Sequence, residues 1–237
     1  MKKNLLLKAL PLVLGLVFSM GLMAQEKVTY ADHKYDRGIQ LAKESKGGVT
    51  ITFSIDEFSL TDRDVNGETM KGIELPGTFL PNDEGYPDLP GHSRYVMIPQ
   101  GATASVSIKN ATVETIENIE ISPAPRIPLD TEVGDLEFNK NEAVYAENAF
   151  YPENPVVISG ERKVRGVDMV MLGVTPFQYN PVTKQLKVYR DIEVEVKFEG
   201  GNGQFGEDRL RSRYWDPMVK DMALNAASLK EIDYNKR

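Results

Sequence analysis

The segment from Val174 to Phe198, VTPFQYNPVTKQLKVYRDIEVEVKF, constrains the fold more than any other part of the chain. In its second half the even positions are Leu186, Val188, Ile192, Val194, Val196 and Phe198, while the odd ones are mostly Lys, Asp or Glu. Side chains of a strand alternate between faces, so this pattern predicts a strand with one dry and one wet face. Ahead of it, Asn180-Pro181-Val182-Thr183-Lys184 has turn chemistry: proline presets φ, and the Asn180 side chain is placed to accept a local backbone hydrogen bond. The stretch therefore predicts a long hairpin, with a bulge or bend at Tyr189-Arg190-Asp191, where Arg190 breaks the apolar register. A sheet with one dry face requires a second layer, which the rest of the chain has to supply.

The first residues do not contribute to that layer. Lys2 and Lys3 precede an apolar run from Leu5 to Met23, and Ala24-Gln25 places a small residue at a cut, the pattern of a cleaved secretory signal peptide. Pro11 and the glycines interrupt the run, which weighs against a membrane anchor. Cleavage after Ala24 would remove Lys2, Lys3 and Lys8 and no acidic residue, moving the formal charge from −7 to −10. No basic surface is indicated, so neither nucleic acid nor anionic lipid is expected as the main partner. The chain has no cysteine, which excludes a thiol nucleophile, a thiolate metal site and disulfide staples within it, and leaves stability to an apolar core. With only His33 and His92, a histidine-rich metal site or a His-based triad is hard to build, and neither is expected to be catalytic.

In chain order, Gln25 to Gly48 is polar and weakly patterned, and Arg37 to Lys46 is compatible with a short helix ended by Gly47-Gly48. Val49 to Ile55 alternates cleanly as a strand, and the change of phase at Asp56-Glu57 suggests a bulge. Asp62-Arg63-Asp64-Val65-Asn66-Gly67 matches the opening of a calcium loop, with Asp62, Asp64 and Asn66 as candidate ligands. The position that needs a bidentate carboxylate is Ile73, however, and Asn66-Gly67 is equally a hairpin turn pair, which is the preferred reading. Segments 75–81 and 85–91 are too rich in proline and glycine for a central strand and read as an ordered, extended connection. Strands follow over Arg94 to Pro99, Ala104 to Ile108 and, with an irregularity, Val113 to Ile121. Ser122 to Asn154 is punctuated by proline and acidic in its middle, as a functional loop or linker would be. Val164 to Thr175 returns to strand patterning, and Gly200-Gly201-Asn202-Gly203 marks a break. A helix from about Pro217 to Leu229, with Asp216 as its N-cap, closes the chain before the basic pair Lys236-Arg237.

The order Gly85-Tyr86-Pro87-Asp88-Leu89-Pro90, a strand ending Ile98-Pro99-Gln100-Gly101-Ala102, then Val164-Arg165-Gly166-Val167 and Pro176 to Phe198 resembles the N-terminal propeptide of gingipain-type cysteine peptidases, the C25 family. The similarity runs from about Val49 to Asn225 and is most specific in Pro176 to Phe198. It implies an all-β chain, an antiparallel, jelly-roll-like β-sandwich with a short C-terminal helix. Residues 1–24 would be the signal peptide, 25–48 a polar N-terminal segment, 49–200 the sandwich prodomain, and 201–237 the Gly-rich break, helix and basic end. The resemblance also implies a non-catalytic prodomain of a secreted, periplasmic or cell-surface bacterial precursor. Its partner would be the cognate cysteine peptidase catalytic domain, which it helps to fold and covers until cleavage after basic residues, here Lys236 and Arg237.

In propeptides of this type the residue that enters the active site lies in the loop upstream of an F-x-P element. Counting back from Phe150-Tyr151-Pro152 places Asp130 there instead of a Lys or Arg, and Arg126 stands four residues earlier, before Ile127-Pro128. Both stay open as inserted residues, and the departure leaves the partner's specificity open. No cofactor is implied beyond the weak calcium match. An alternative is a free-standing secreted β-sandwich adhesin or carbohydrate-binding module using Tyr86, Tyr95, Tyr145, Tyr151 or Trp215, although aromatics of this kind more often anchor cores and loops. A carboxylate-pair glycosidase finds no pair at a defined separation.

Overall fold

The computed structural model describes residues 25–78 and 83–236. In chain order the strands are β1 (Glu26–Thr29), β2 (Gly38–Ser45), β3 (Gly48–Ser54), β4 (Glu57–Val65), β5 (Glu68–Glu74), β6 (His92–Met97) and β7 (Ala102–Ile116). A single helical turn, α1 (Glu142–Tyr145), precedes β8 (Val156–Ile158), β9 (Arg162–Val164), β10 (Val167–Val174), β11 (Phe177–Asn180) and β12 (Gln185–Gly200), and the helix α2 (Asp216–Met222) follows.

The predicted hairpin is β11–β12, and β12 is the axis of the fold. It pairs antiparallel with β7 along one edge and with β11 and then β3 along the other, in a sheet that β2 completes. Leu186, Val188, Ile192, Val194 and Val196 are each 0% exposed, so the alternation read from the sequence is the alternation of burial. The Asn180 side chain accepts from the Val182 and Thr183 N–H groups at 3.0 and 3.1 Å, which fixes the turn. The pairing slips between Tyr189 and Asp191, where Arg190 was expected to break the register. Because β12 has partners on both sides, Glu193, Glu195, Lys197 and Glu199 form the wet face of a central strand and do not protect an edge.

A second layer is built from the β1–β4–β5 sheet and the sheet in which β10 pairs with β6, β8 and β9. Phe58, Leu60, Ile73, Val96, Val170 and Leu172 from this layer share one buried cluster with Ile51, Phe53 and the apolar face of β12. The expected all-β antiparallel sandwich with a C-terminal helix is thus the fold observed. The outer face of β6 and β10 is covered as well, because Met97, Val167 and Met169 pack under Val219, Ala223 and Leu229 of the C-terminal tail.

Several local expectations are corrected. Arg37 to Lys46 is not a helix: Gly38–Ser45 is the strand β2, paired with β3. Within the segment 25–48, Glu26–Thr29 and Gly38–Ser45 therefore belong to the sheets. Asp56 marks no bulge, since the chain crosses there from β3 in one layer to β4 in the other. The two strands expected between Ala104 and Ile121 are largely one, β7, irregular at Lys109. The last helix stops at Met222 because Leu224 donates its N–H to the Tyr95 carbonyl at 2.9 Å, which diverts the backbone into an extended path. Asp216 is the first helical residue and caps nothing; its carboxylate is held instead by Arg211 at 2.6 and 3.2 Å and by the Tyr234 hydroxyl at 2.7 Å.

Candidate functional site

Residues 120–124 run beside β5 and lead out of the sandwich. Lys71 donates its N–H to the Glu120 carbonyl at 2.7 Å, and the Ser122 N–H donates back to the Lys71 carbonyl at 2.9 Å. Pro123 and Pro125 have no N–H to continue such pairing, and the chain leaves the layer. The Arg126 N–H donates to the Glu137 carbonyl at 3.2 Å, closing the neck of a loop. Beyond the neck Ile127, Leu129, Val133 and Leu136 are 51 to 103% exposed, a concentration of apolar side chains in water.

The loop has internal structure. The Arg126 guanidinium grips Glu132 with both Nη atoms, at 2.8 and 3.4 Å. Glu132 also accepts the Leu129 N–H at 3.0 Å, and its own N–H returns to the Leu129 carbonyl at 2.9 Å. Arg126 and the Leu129 N–H hold the Glu132 carboxyl below the usual carboxylate range. A cleft of about 100 Å³ opens between Arg126, Pro128, Glu132 and Leu136. Asp130 sits at the outer turn, exposed. Arg126 and Asp130, read as alternatives from the sequence, are thus parts of one projection, the first turned into it and the second at its tip. The apolar residues and Glu132 were not singled out from the sequence; four large apolar side chains in a proline-punctuated acidic segment were the available signal.

Other candidates lie apart. Asp62, Asp64 and Asn66 belong to the β4–β5 hairpin, where Asn66 and Gly67 have φ of 54° and 86° as a tight two-residue turn requires. Lys71 Nζ binds Asp62 at 2.6 Å, and Asp64 accepts the Gly67 N–H at 3.0 Å. Among the described residues no group of three or more His, Asp or Glu could hold a metal ion. His92 packs against Phe53 at 5.6 Å between ring centroids, and burial lowers its pKa. Tyr86 packs on Tyr151, the Tyr145 hydroxyl donates to the Ile121 carbonyl, and Arg165 stacks 4.0 Å over Trp215, so these aromatics are engaged within the domain. Lys236 is exposed at the end of a 3-10 turn, Tyr234–Lys236, and pairs with Asp233. Gln25 is exposed, whereas Arg237 and residues 1–24, Ala24 among them, lie outside the described residues. Among the described residues no helix is long and apolar enough to cross a membrane.

The Propeptide_C25 family model matches residues 31–209. Lys-gingipain HG66 of Porphyromonas gingivalis is 29% identical over 216 residues, which cover 89% of this chain and 12% of that protein. Gingipain R2 of Porphyromonas gingivalis is 25% identical over 170 residues, 70% of this chain and 23% of that protein. A chain in the complex of Porphyromonas gingivalis RgpB pro- and mature domains superposes with a TM-score of 0.72 at 20% identity, covering 81% of this chain and 100% of that one. A structure addressing zymogenic latency of gingipain K from Porphyromonas gingivalis superposes with a TM-score of 0.60 at 26% identity, covering 75% and 98%. The chain therefore spans 12% of the length of the Lys-gingipains it matches.

Proposed function

The chain belongs to the C25 propeptide family, and we propose that it is the removable prodomain of a secreted gingipain-type cysteine endopeptidase. In this reading it assists folding of the catalytic domain and occupies the active site until it is cut away. The chain has no cysteine, so the nucleophile is supplied by another segment of the precursor. Residues 1–24 direct export, and cutting after the Lys236-Arg237 pair releases the prodomain.

The observation that carries the inhibitory reading is the self-closed loop 126–137, an exposed projection with apolar side chains on a rigid sandwich. Such a loop can fill a cleft as a substrate does without gaining anything in the transition state, which gives occupancy without turnover. Arg126 is the side chain suited to a pocket that selects a cation, since its exposed pair with Glu132 is readily exchanged for an acidic group of a partner. Asp130 suits a site that presents a cation of its own. The net negative charge of the chain raises the encounter rate with a basic partner surface more than the final affinity.

The test is inhibition of a gingipain-type catalytic domain by the full chain and by its Arg126→Ala and Asp130→Ala variants. The substitution that removes the inserted residue should raise the inhibition constant about tenfold or more, a loss of about 1.4 kcal/mol. If neither raises it, the insertion reading fails.

A further inference from the structure

Arg63 lies on β4, well away from the exposed loop in sequence, yet its side chain reaches the base of that loop. It crosses β5 over Gly72, on the same face of the hairpin: a Cβ at residue 72 would lie 2.1 Å from the Arg63 Nε. Beyond β5 the Arg63 Nη1 bonds Asp88 at 2.6 Å and the Ser122 hydroxyl at 3.1 Å, and the guanidinium stacks 5.5 Å from the Phe138 ring centre. Ser122 is on the ascending leg of the loop and Phe138 on the descending one, so a single guanidinium holds both.

Asp88 belongs to the segment that separates the two legs. Its N–H donates to the Ser122 carbonyl at 2.9 Å, and two residues earlier the Tyr86 carbonyl accepts the Ala124 N–H at 2.7 Å. Gly85 then bridges the legs directly, donating its N–H to the Ala124 carbonyl at 3.0 Å and accepting the Asn141 N–H at 2.9 Å. Only glycine serves here, because φ is +81° and a Cβ would meet the Asn139 carbonyl at 3.0 Å. Arg63 and Asp88 are both largely shielded, at 22% and 20% side-chain exposure, so their pair is less screened by solvent than the loop's own Arg126–Glu132 pair.

We infer that Arg63, threaded through the gap at Gly72, is a positioning residue that fixes the footing of loop 126–137, so that the loop meets its partner pre-organised. A loop held in its bound geometry loses little freedom on binding and binds correspondingly tighter. The inference rests on the loop being the inhibitory element.

The test uses the full chain with Arg63→Ala, Gly72→Ala and the double substitution, read by amide hydrogen exchange and by inhibition of a gingipain-type catalytic domain. Gly72→Ala keeps Arg63 and has no positive φ to strain, so it carries the test if Arg63→Ala fails to fold. Each single variant should speed exchange at Gly85, Ala124 and Asn141 by about tenfold, leave the β3 and β12 amides unchanged, and raise the inhibition constant about tenfold. Adding Gly72→Ala to Arg63→Ala should change nothing further, since the displaced group is already gone. Unchanged exchange at the three feet in both single variants would overturn the inference. So would an unchanged inhibition constant in chains where Arg126→Ala or Asp130→Ala does raise it. If exchange at the feet rises while none of these substitutions alters inhibition, the footing by Arg63 is supported and the inhibitory reading of the loop is what falls.

Discussion

At the scale of single residues, the most consequential polar contact outside the loop is the Arg211–Asp216 pair. Arg211 has a side chain 0% exposed, and it also donates to the Lys230 carbonyl at 2.7 Å. Burial by itself raises the Asp216 pKa, but the hydrogen bonds from Arg211 and Tyr234 outweigh it, and the carboxyl is held below its usual range. A folded-state pKa below the unfolded one gives stability that is fully present above the unfolded value of about 4 and is lost as pH falls through the folded value. Asp216→Asn leaves the buried guanidinium with only the half-exposed Asp208 carboxylate, 3.7 Å away, as counter-charge and is expected to cost about 3 kcal/mol near neutral pH. Urea unfolding of the two proteins across pH is the check: the gap should be widest near neutrality and should narrow below about pH 4. A gap independent of pH would mean that the contact acts through shape and not through charge.

At the scale of elements, burial and projection are separable. Ile192→Ala removes a side chain 0% exposed on the central strand and should cost about 3 kcal/mol in urea unfolding, with the inhibition constant of the folded fraction unchanged. Substitutions at Arg126 or Asp130 should do the reverse, because Asp130 is exposed, Arg126 is paired only within the loop, and neither supports the core. The strands that could be read in advance were those whose alternation coincides with burial, β12 above all. Gly38–Ser45 was not legible because Leu41, Ala42, Lys43 and Glu44 suit a helix as well as a strand, and pairing with β3 decides between them. The C-terminal helix was placed within one residue at its start and extended too far, since the contact between Leu224 and Tyr95 that ends it leaves no local signature. Loop 126–137 was recognisable from its prolines and acidity. Its neck, its Arg126–Glu132 grip and the Arg63–Gly72 crossing depend on the register of a hairpin and on a returning chain, which composition does not encode.

At the scale of the whole molecule, the tail settles how much chain makes one stable unit. The matched family region ends at residue 209, yet Val219, Ala223 and Leu229 cover Met97, Val167 and Met169 on the outer face of the second layer. Asn225, 0% exposed, clasps the backbone of Met97, accepting from its N–H at 2.8 Å and donating to its carbonyl at 2.9 Å. These contacts close an apolar face that the sheets alone would leave in water. Burial of Val219 and Leu229 is worth about 2 kcal/mol each, and the buried polar groups of Met97 add about 1–3 kcal/mol if they are left unpaired. Their sum, on the order of 5 kcal/mol, is comparable with the entire net stability of a typical domain. A chain ending at Arg209 is therefore expected to melt far below the full chain and to bind a dye specific for exposed apolar surface. Asn225→Ala should show a partial version, with faster hydrogen exchange at Met97 and Leu224 and a loss of about 2 kcal/mol. If the shortened chain instead melts within a few degrees of the full one, the tail is an accessory, and the sandwich that presents the loop is complete without it.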